Sequence, residues 1–139
     1  MGRSHGDTQP AGWSSVTAAT DVLVVDNYDS FTHNAVHALA ALGARVAVVR
    51  NDEVDVGAVL GADVPGVILS PGPGRPEDAG ICLDLVRGLP PATALLGICL
   101  GHQVLGAALG GRVVHARRPL HGTPTPIQHE GAGLLAGLP

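Results

Sequence analysis

The chain has 139 residues, enough for one domain, and a mildly acidic formal charge of −4. All eight basic residues are arginine and form no stripe, and one Phe, one Tyr and one Trp leave no platform for stacking bases, so nucleic-acid binding is excluded. No apolar run approaches the length of a membrane span, the two cysteines make no disulfide framework, and the seven histidines are scattered, so we expect no membrane segment, no metal, no cofactor and a reducing cytoplasmic setting.

Met1 to Thr20 is rich in Gly, Ser, Thr and Pro and has neither a signal-peptide nor a transit-peptide pattern. Residues 1–20 are expected to be a flexible N-terminal extension, with the domain running from 21 to 139. Val22-Leu23-Val24-Val25, ending in Asp26, predicts a parallel strand buried on both faces. Asp26 to Ser30 reads as a loop ending in helix-capping residues. Phe31, Ala35, Ala38, Leu39 and Leu42 then mark one helical face, with Gly43 as its stop. Strands are predicted at 45–49, 66–70 and 94–98, and helices at 54–60, 81–89 and 102–109. Gly110-Gly111 ends the last helix, and Arg112 to His115 is expected to begin a further strand. This alternation predicts an α/β domain, an open, doubly wound and mostly parallel sheet flanked by helices.

Two loops carry chemistry. Gly97-Ile98-Cys99-Leu100-Gly101 places a cysteine between a strand and a helix, with glycine two residues before and two after it. This is the thiol counterpart of a nucleophile elbow, in which a sharp turn leaves no room for a Cβ on the flanking residues. Free amide N–H groups and the positive end of the helix dipole favour an anion there, and the N–H of Leu100 points where an oxyanion would form. A buried cysteine serving as a small hydrophobe is the plainer reading of the same five residues. Pro71-Gly72-Pro73-Gly74-Arg75-Pro76 follows the third predicted strand. Glu77 stands where a dinucleotide-binding loop needs its third glycine, so that function is excluded. The loop is either a rigid turn or, sharing the carboxyl edge of the sheet with Cys99, the second half of an oxyanion hole.

Taken together, Asp26-Asn27-Tyr28-Asp29-Ser30-Phe31-Thr32, Ser70-Pro71-Gly72-Pro73-Gly74, Gly97 to Gln103 and His121-Gly122 resemble the class I glutamine amidotransferases. The first motif resembles the branch that serves chorismate-using synthases, namely anthranilate synthase component II and its aminodeoxychorismate counterpart. The resemblance runs from Asp21 to Pro139 and implies a flavodoxin-like amidotransferase fold, incomplete at its C-terminal side. It implies Cys99 as nucleophile toward the side-chain amide of L-glutamine and backbone N–H groups of Leu100 and Gly74 as the oxyanion hole. Gly72, Pro73, Gly74 and Gln103 would contact the substrate. It also implies a chorismate-binding synthase subunit (component I) as partner, with Asp26 to Thr32 at that interface or supporting it. Thr123 stands where the family carries lysine. The family's base is a histidine in a His-Pro-Glu motif, and this sequence contains no His-x-Glu. His129-Glu130 is adjacent rather than spaced, and His102 is expected to be structural. Two rival readings follow: a non-catalytic module that docks on a synthase, and a cysteine hydrolase of another kind on a similar scaffold.

Overall fold

A computed structural model of the chain describes residues 13–139. Four parallel strands, β1 (Val22–Asp26), β2 (Val46–Arg50), β3 (Gly66–Leu69) and β4 (Ala94–Gly97), form one sheet in the order β2-β1-β3-β4. The helices between and after them are α1 (Thr32–Ala41), α2 (Val56–Gly61), α3 (Cys82–Gly88) and α4 (Leu100–Ala108). The register is continuous across three strands: Val24 lies beside Val48 and Ile68, and Ile68 beside Leu96. Since β2 lies on one side of β1 and β3 on the other, the winding reverses at the carboxyl ends of β1 and β3. In open α/β sheets that crevice is where ligands bind.

Strand alternation divides the apolar residues between two faces. Leu23, Val25, Val49, Val67 and Leu69 pack against Val59 of α2, Leu85 of α3, and Leu100 and Val104 of α4 in one buried cluster. Asp55 caps α2, its side chain accepting from the Ala58 N–H at 2.7 Å. Gly43, at φ 87°, follows α1 in the left-handed conformation expected of a helix stop. On the second face, an apolar groove of 250 Å³ lies over Val22, Ile68 and Leu96, with Leu134 at its side.

The predicted elements are present within two residues of their expected ends, with one exception. Arg112 to His115 forms no strand. Its tie to the rest of the fold is a hydrogen bond from the Arg75 guanidinium to the Val113 carbonyl at 3.3 Å, and Val114 is 70% exposed. β-branched residues favour strands only where a neighbouring strand and a covered face receive them, and here neither does. Phe31, expected on one face of the helix, lies just before α1 and is 64% exposed. Of the expected N-terminal extension, residues 1–12 lie outside the described residues. Trp13 to Ser15 form a 3₁₀ turn, and Trp13 and Val16 pack against the core.

Candidate active site

β4 ends at Gly97 and α4 begins at Leu100, so Ile98 and Cys99 make the turn. Cys99 has φ 55° and ψ −110°, a backbone state that costs a non-glycine residue of order 1–3 kcal/mol. Three hydrogen bonds hold it: Ile98 N–H to the Leu69 carbonyl, Gly101 N–H to the Ile98 carbonyl, and Gln103 N–H to the Cys99 carbonyl, all at 3.0 Å. The flanking glycines are sterically required. A Cβ on Gly97 would run into the Gly101 carbonyl, and one on Gly101 into the Leu69 carbonyl. The turn leaves Cys99 exposed while Leu100 behind it is buried. As the first residue of α4, Leu100 carries one of the N–H groups that precede the first intrahelical bond.

The loop after β3 lies against the loop after β1. A Cβ on Gly72 would run into the Asn27 carbonyl, so the two backbones are in direct contact. Gly74 has φ 82°, and the next residue's N–H donates to Asp78 Oδ2 at 2.9 Å. In the loop after β1, Asp26 Oδ1 accepts from the Tyr28 N–H at 2.9 Å and from Thr32 Oγ1 at 2.9 Å. Tyr28 is thereby held at φ 64°. Its hydroxyl donates to Asp52 Oδ1 at 2.6 Å, which raises the phenol's pKa, and the Arg50 guanidinium lies 5.1 Å from its ring.

These loops enclose a cleft of 480 Å³. Cys99, Gly72 and Pro73 line it, together with Pro71. Gly74, Leu100 and Gln103 are not among the lining residues, and the Gln103 side chain is exposed on α4. Tyr28, Asp29, Phe31 and His121 also line the cleft. Sequence reasoning gave these four no role in a pocket, because Asp29 read as part of a capping loop and Phe31 as part of a helical face. Asp29 does organise the helix start, its Oδ1 accepting from the Phe31 N–H at 2.8 Å, but it does so at the rim. His121 was visible only as part of a motif, on a segment with no periodicity to locate it. His129 is engaged elsewhere, with Nδ1 accepting from the Gly131 N–H at 3.0 Å and Nε2 lying 3.1 Å from the Pro139 carbonyl.

The other cysteine is chemically remote from this role. Cys82 is fully buried, and desolvation pushes its thiol up to about 11 against a smaller opposing effect of its hydrogen bond to Asn27 Oδ1, 3.3 Å away. Among the described residues, no three His, Cys, Asp or Glu side chains come close enough to hold a metal ion, and no helix is long and apolar enough to cross a membrane.

Residues 23–139 match the family model described as "Glutamine amidotransferase class-I". The chain is 49% identical to anthranilate synthase component 2 of Thermus thermophilus over 117 residues, covering 84% of this chain and 57% of that protein. It is 43% identical to aminodeoxychorismate synthase component 2 of Escherichia coli over 117 residues, covering 84% of this chain and 63% of the relative. The chain therefore spans about 57% to 63% of the length of these two relatives. The crystal structure of a Thermoplasma acidophilum protein assigned to GMP synthase superposes with a TM-score of 0.69 at 28% identity, covering 87% of this chain and 60% of the other. With the match extending over nearly all of the described residues, the chain belongs to the class I glutamine amidotransferases.

Proposed function

We propose that Cys99 is the nucleophile of a glutaminase reaction, and that the ammonia released is delivered to a chorismate-binding synthase subunit making anthranilate or aminodeoxychorismate. The observation that carries this reading is the conformation of Cys99, strained and exposed at the start of α4, in the same cleft as Gly72 and Pro73. The thiolate attacks the amide carbon of L-glutamine. A C–S bond forms, and the carbonyl π pair moves to oxygen, where N–H groups of Leu100 and Gly74 receive it. The C–N bond then breaks, nitrogen takes up a proton and leaves as ammonia. Water hydrolyses the thioester to glutamate and returns the thiol. Gly72, Pro73, Gly74 and Gln103 contact the substrate in this reading. Asp26 to Thr32 supports the cleft and contributes to the synthase interface. Two unpaired cysteines and chorismate as co-substrate suit the cytoplasm.

Proton handling limits what this chain does alone. The sequence contains no His-x-Glu, and His121 is the imidazole that lines the cleft. Loss of one member of a catalytic triad leaves an acceleration of roughly 10³–10⁴ over water, far below a working enzyme. The chain should therefore label with a glutamine-like chloroketone at Cys99 while turning over little glutamine. Adding a polypeptide that bears the family's His-Pro-Glu should raise turnover. Labelling elsewhere, or turnover insensitive to Cys99→Ala, would overturn the proposal.

A further inference from the structure

Asn27 is 2% exposed, and every polar group of its side chain is used. Its Nδ2 donates to the Ser70 carbonyl at 2.8 Å, and its Oδ1 accepts from Asn51 Nδ2 at 2.9 Å and from the Cys82 thiol at 3.3 Å. Its backbone N–H donates to Ser70 Oγ at 2.8 Å, and that hydroxyl in turn donates to the Pro71 carbonyl at 2.8 Å. Two neighbouring residues, one after β1 and one after β3, are thus joined by both backbone and side chain. Gly72, the next residue but one, is pressed against the Asn27 carbonyl. Among the described residues, no buried side-chain polar atom lacks a partner, so the network has no slack group that could absorb a shift.

We infer that Asn27 and Ser70 are positioning residues that clamp the Pro71–Gly72–Pro73 loop at a fixed distance from Cys99. The inference rests on the proposed glutamine chemistry, since it gives the loop a task. A sheet of this kind closes without the clamp, because β1 and β3 already pair along Val22 to Val25. The last strand-type bond runs from the Ser70 N–H to the Val25 carbonyl at 3.1 Å, and what the clamp adds lies beyond it, along Pro71 to Pro73. The Ser70 hydroxyl does this in two directions at once, accepting from one loop and donating into the other. Alanine removes both bonds. Threonine keeps the hydroxyl.

The test compares two alkylating agents on the full chain. A small chloroacetamide reads the Cys99 thiol itself, whereas a glutamine-like chloroketone also needs the loop in place. We expect Ser70→Ala to lower the ratio of chloroketone to chloroacetamide rates about tenfold, since a misplacement of about 1 Å can cost about 100-fold and a smaller shift correspondingly less. The chloroacetamide rate itself should change less than about twofold, a merely structural role having moved both. Ser70→Thr should restore most of the ratio. Asn27→Asp, which keeps the acceptor toward Asn51 and Cys82 but loses the donor to Ser70, should lower it as Ser70→Ala does. An unchanged ratio in Ser70→Ala, or a parallel fall in both rates, overturns the clamp. If L-glutamine fails to protect Cys99 even in the unaltered chain, the functional reading itself falls and the clamp with it. Protection that persists equally in Ser70→Ala, with an unchanged ratio, removes the clamp alone.

Discussion

Residues 22–110 and residues 111–139 draw on similar amino acids and reach different ends. Val24 and Val25 are fully buried in a strand paired on both sides, whereas Val113 and Val114 lie in an unpaired segment with Val114 largely exposed. Among the described residues, the second region holds one 3₁₀ turn, Gly133–Leu135, and no strand or α-helix. What separates the regions is the supply of partners: each strand of the first finds a parallel neighbour and a helix to cover it. Propensity is realised only where the surroundings receive it. The candidate cleft is made where the two regions meet, with Cys99 from the first and His121 from the second.

The sharpest way to break this comparison is to cut apolar side chains in both regions and measure unfolding in urea. Leu85→Ala, in the cluster between the sheet and α3, should cost about 2–5 kcal/mol. Val114→Ala should stay within about 0.5 kcal/mol, as for an exposed position. Equal losses would mean that residues 111–139 are packed as tightly as the sheet.

Next in size is the contrast between the two cysteines, both within the first region. Cys99 is exposed, while Cys82 is sealed in the core with its thiol shifted up to about 11. At neutral pH, chloroacetamide should label Cys99 at least about 100-fold faster, because Cys82 reacts only when the structure opens. Peptide mapping of the singly labelled chain checks this. Comparable labelling of Cys82 would show that α3 opens readily.

Much of this organisation was legible in the sequence, for identifiable reasons. The strands were readable because a strand buried on both faces is a continuous apolar run, and β1 and β3 are such runs. The elbow was readable because the glycines at 97 and 101 are dictated by backbone contact, which leaves a fixed spacing around Cys99. The cleft's other walls were not. Phe31 sits at the right spacing for a helical face, yet the helix begins one residue later, so nothing in the periodicity separates rim from core. The buried partners of Asn27 lie 24, 43 and 55 residues away and leave no local pattern. His121 belongs to an exposed segment with no helix or strand, and so with no repeat to locate it.

A smaller effect tests how well sealed the first region is at high pH. The folded Cys82 thiol ionises near 11 and an unfolded one near 9.0. Below 9 both forms are protonated and the group is silent. Between 9 and 11 the unfolded chain loses the proton while the folded chain keeps it, so stability falls as pH rises, by at most about 2–3 kcal/mol. Cys82→Ser keeps a donor toward Asn27 Oδ1 and does not titrate. Its stability relative to the unaltered chain should improve steadily across that window. A flat difference from pH 8 to 11 would mean that the thiol is solvated.

The smallest effect lies at the opposite end of the sheet from the cleft, where the first region closes with charge instead of packing. Asp21 accepts from the Arg45 backbone N–H at 2.8 Å and from its guanidinium at 2.9 and 2.7 Å, pinning the start of β1 to the start of β2. These bonds hold the Asp21 carboxyl well below its usual range and raise the Arg45 pKa. For a carboxylate shifted down, the stabilisation is present above its unfolded pKa of 3.8 and is lost as pH falls toward the folded value. Both side chains are solvent-exposed, so water and salt screen the pair, and Asp21→Asn should lower the midpoint of urea unfolding only slightly at pH 7. That small gap should narrow as the pH drops below about 4, and again when salt is raised to about 1 M, where screening acts over only a few ångströms. A gap that widens on acidification would mean that Asp21 is better accommodated protonated, and that pairing along β1 and β2, without the ion pair, sets their register.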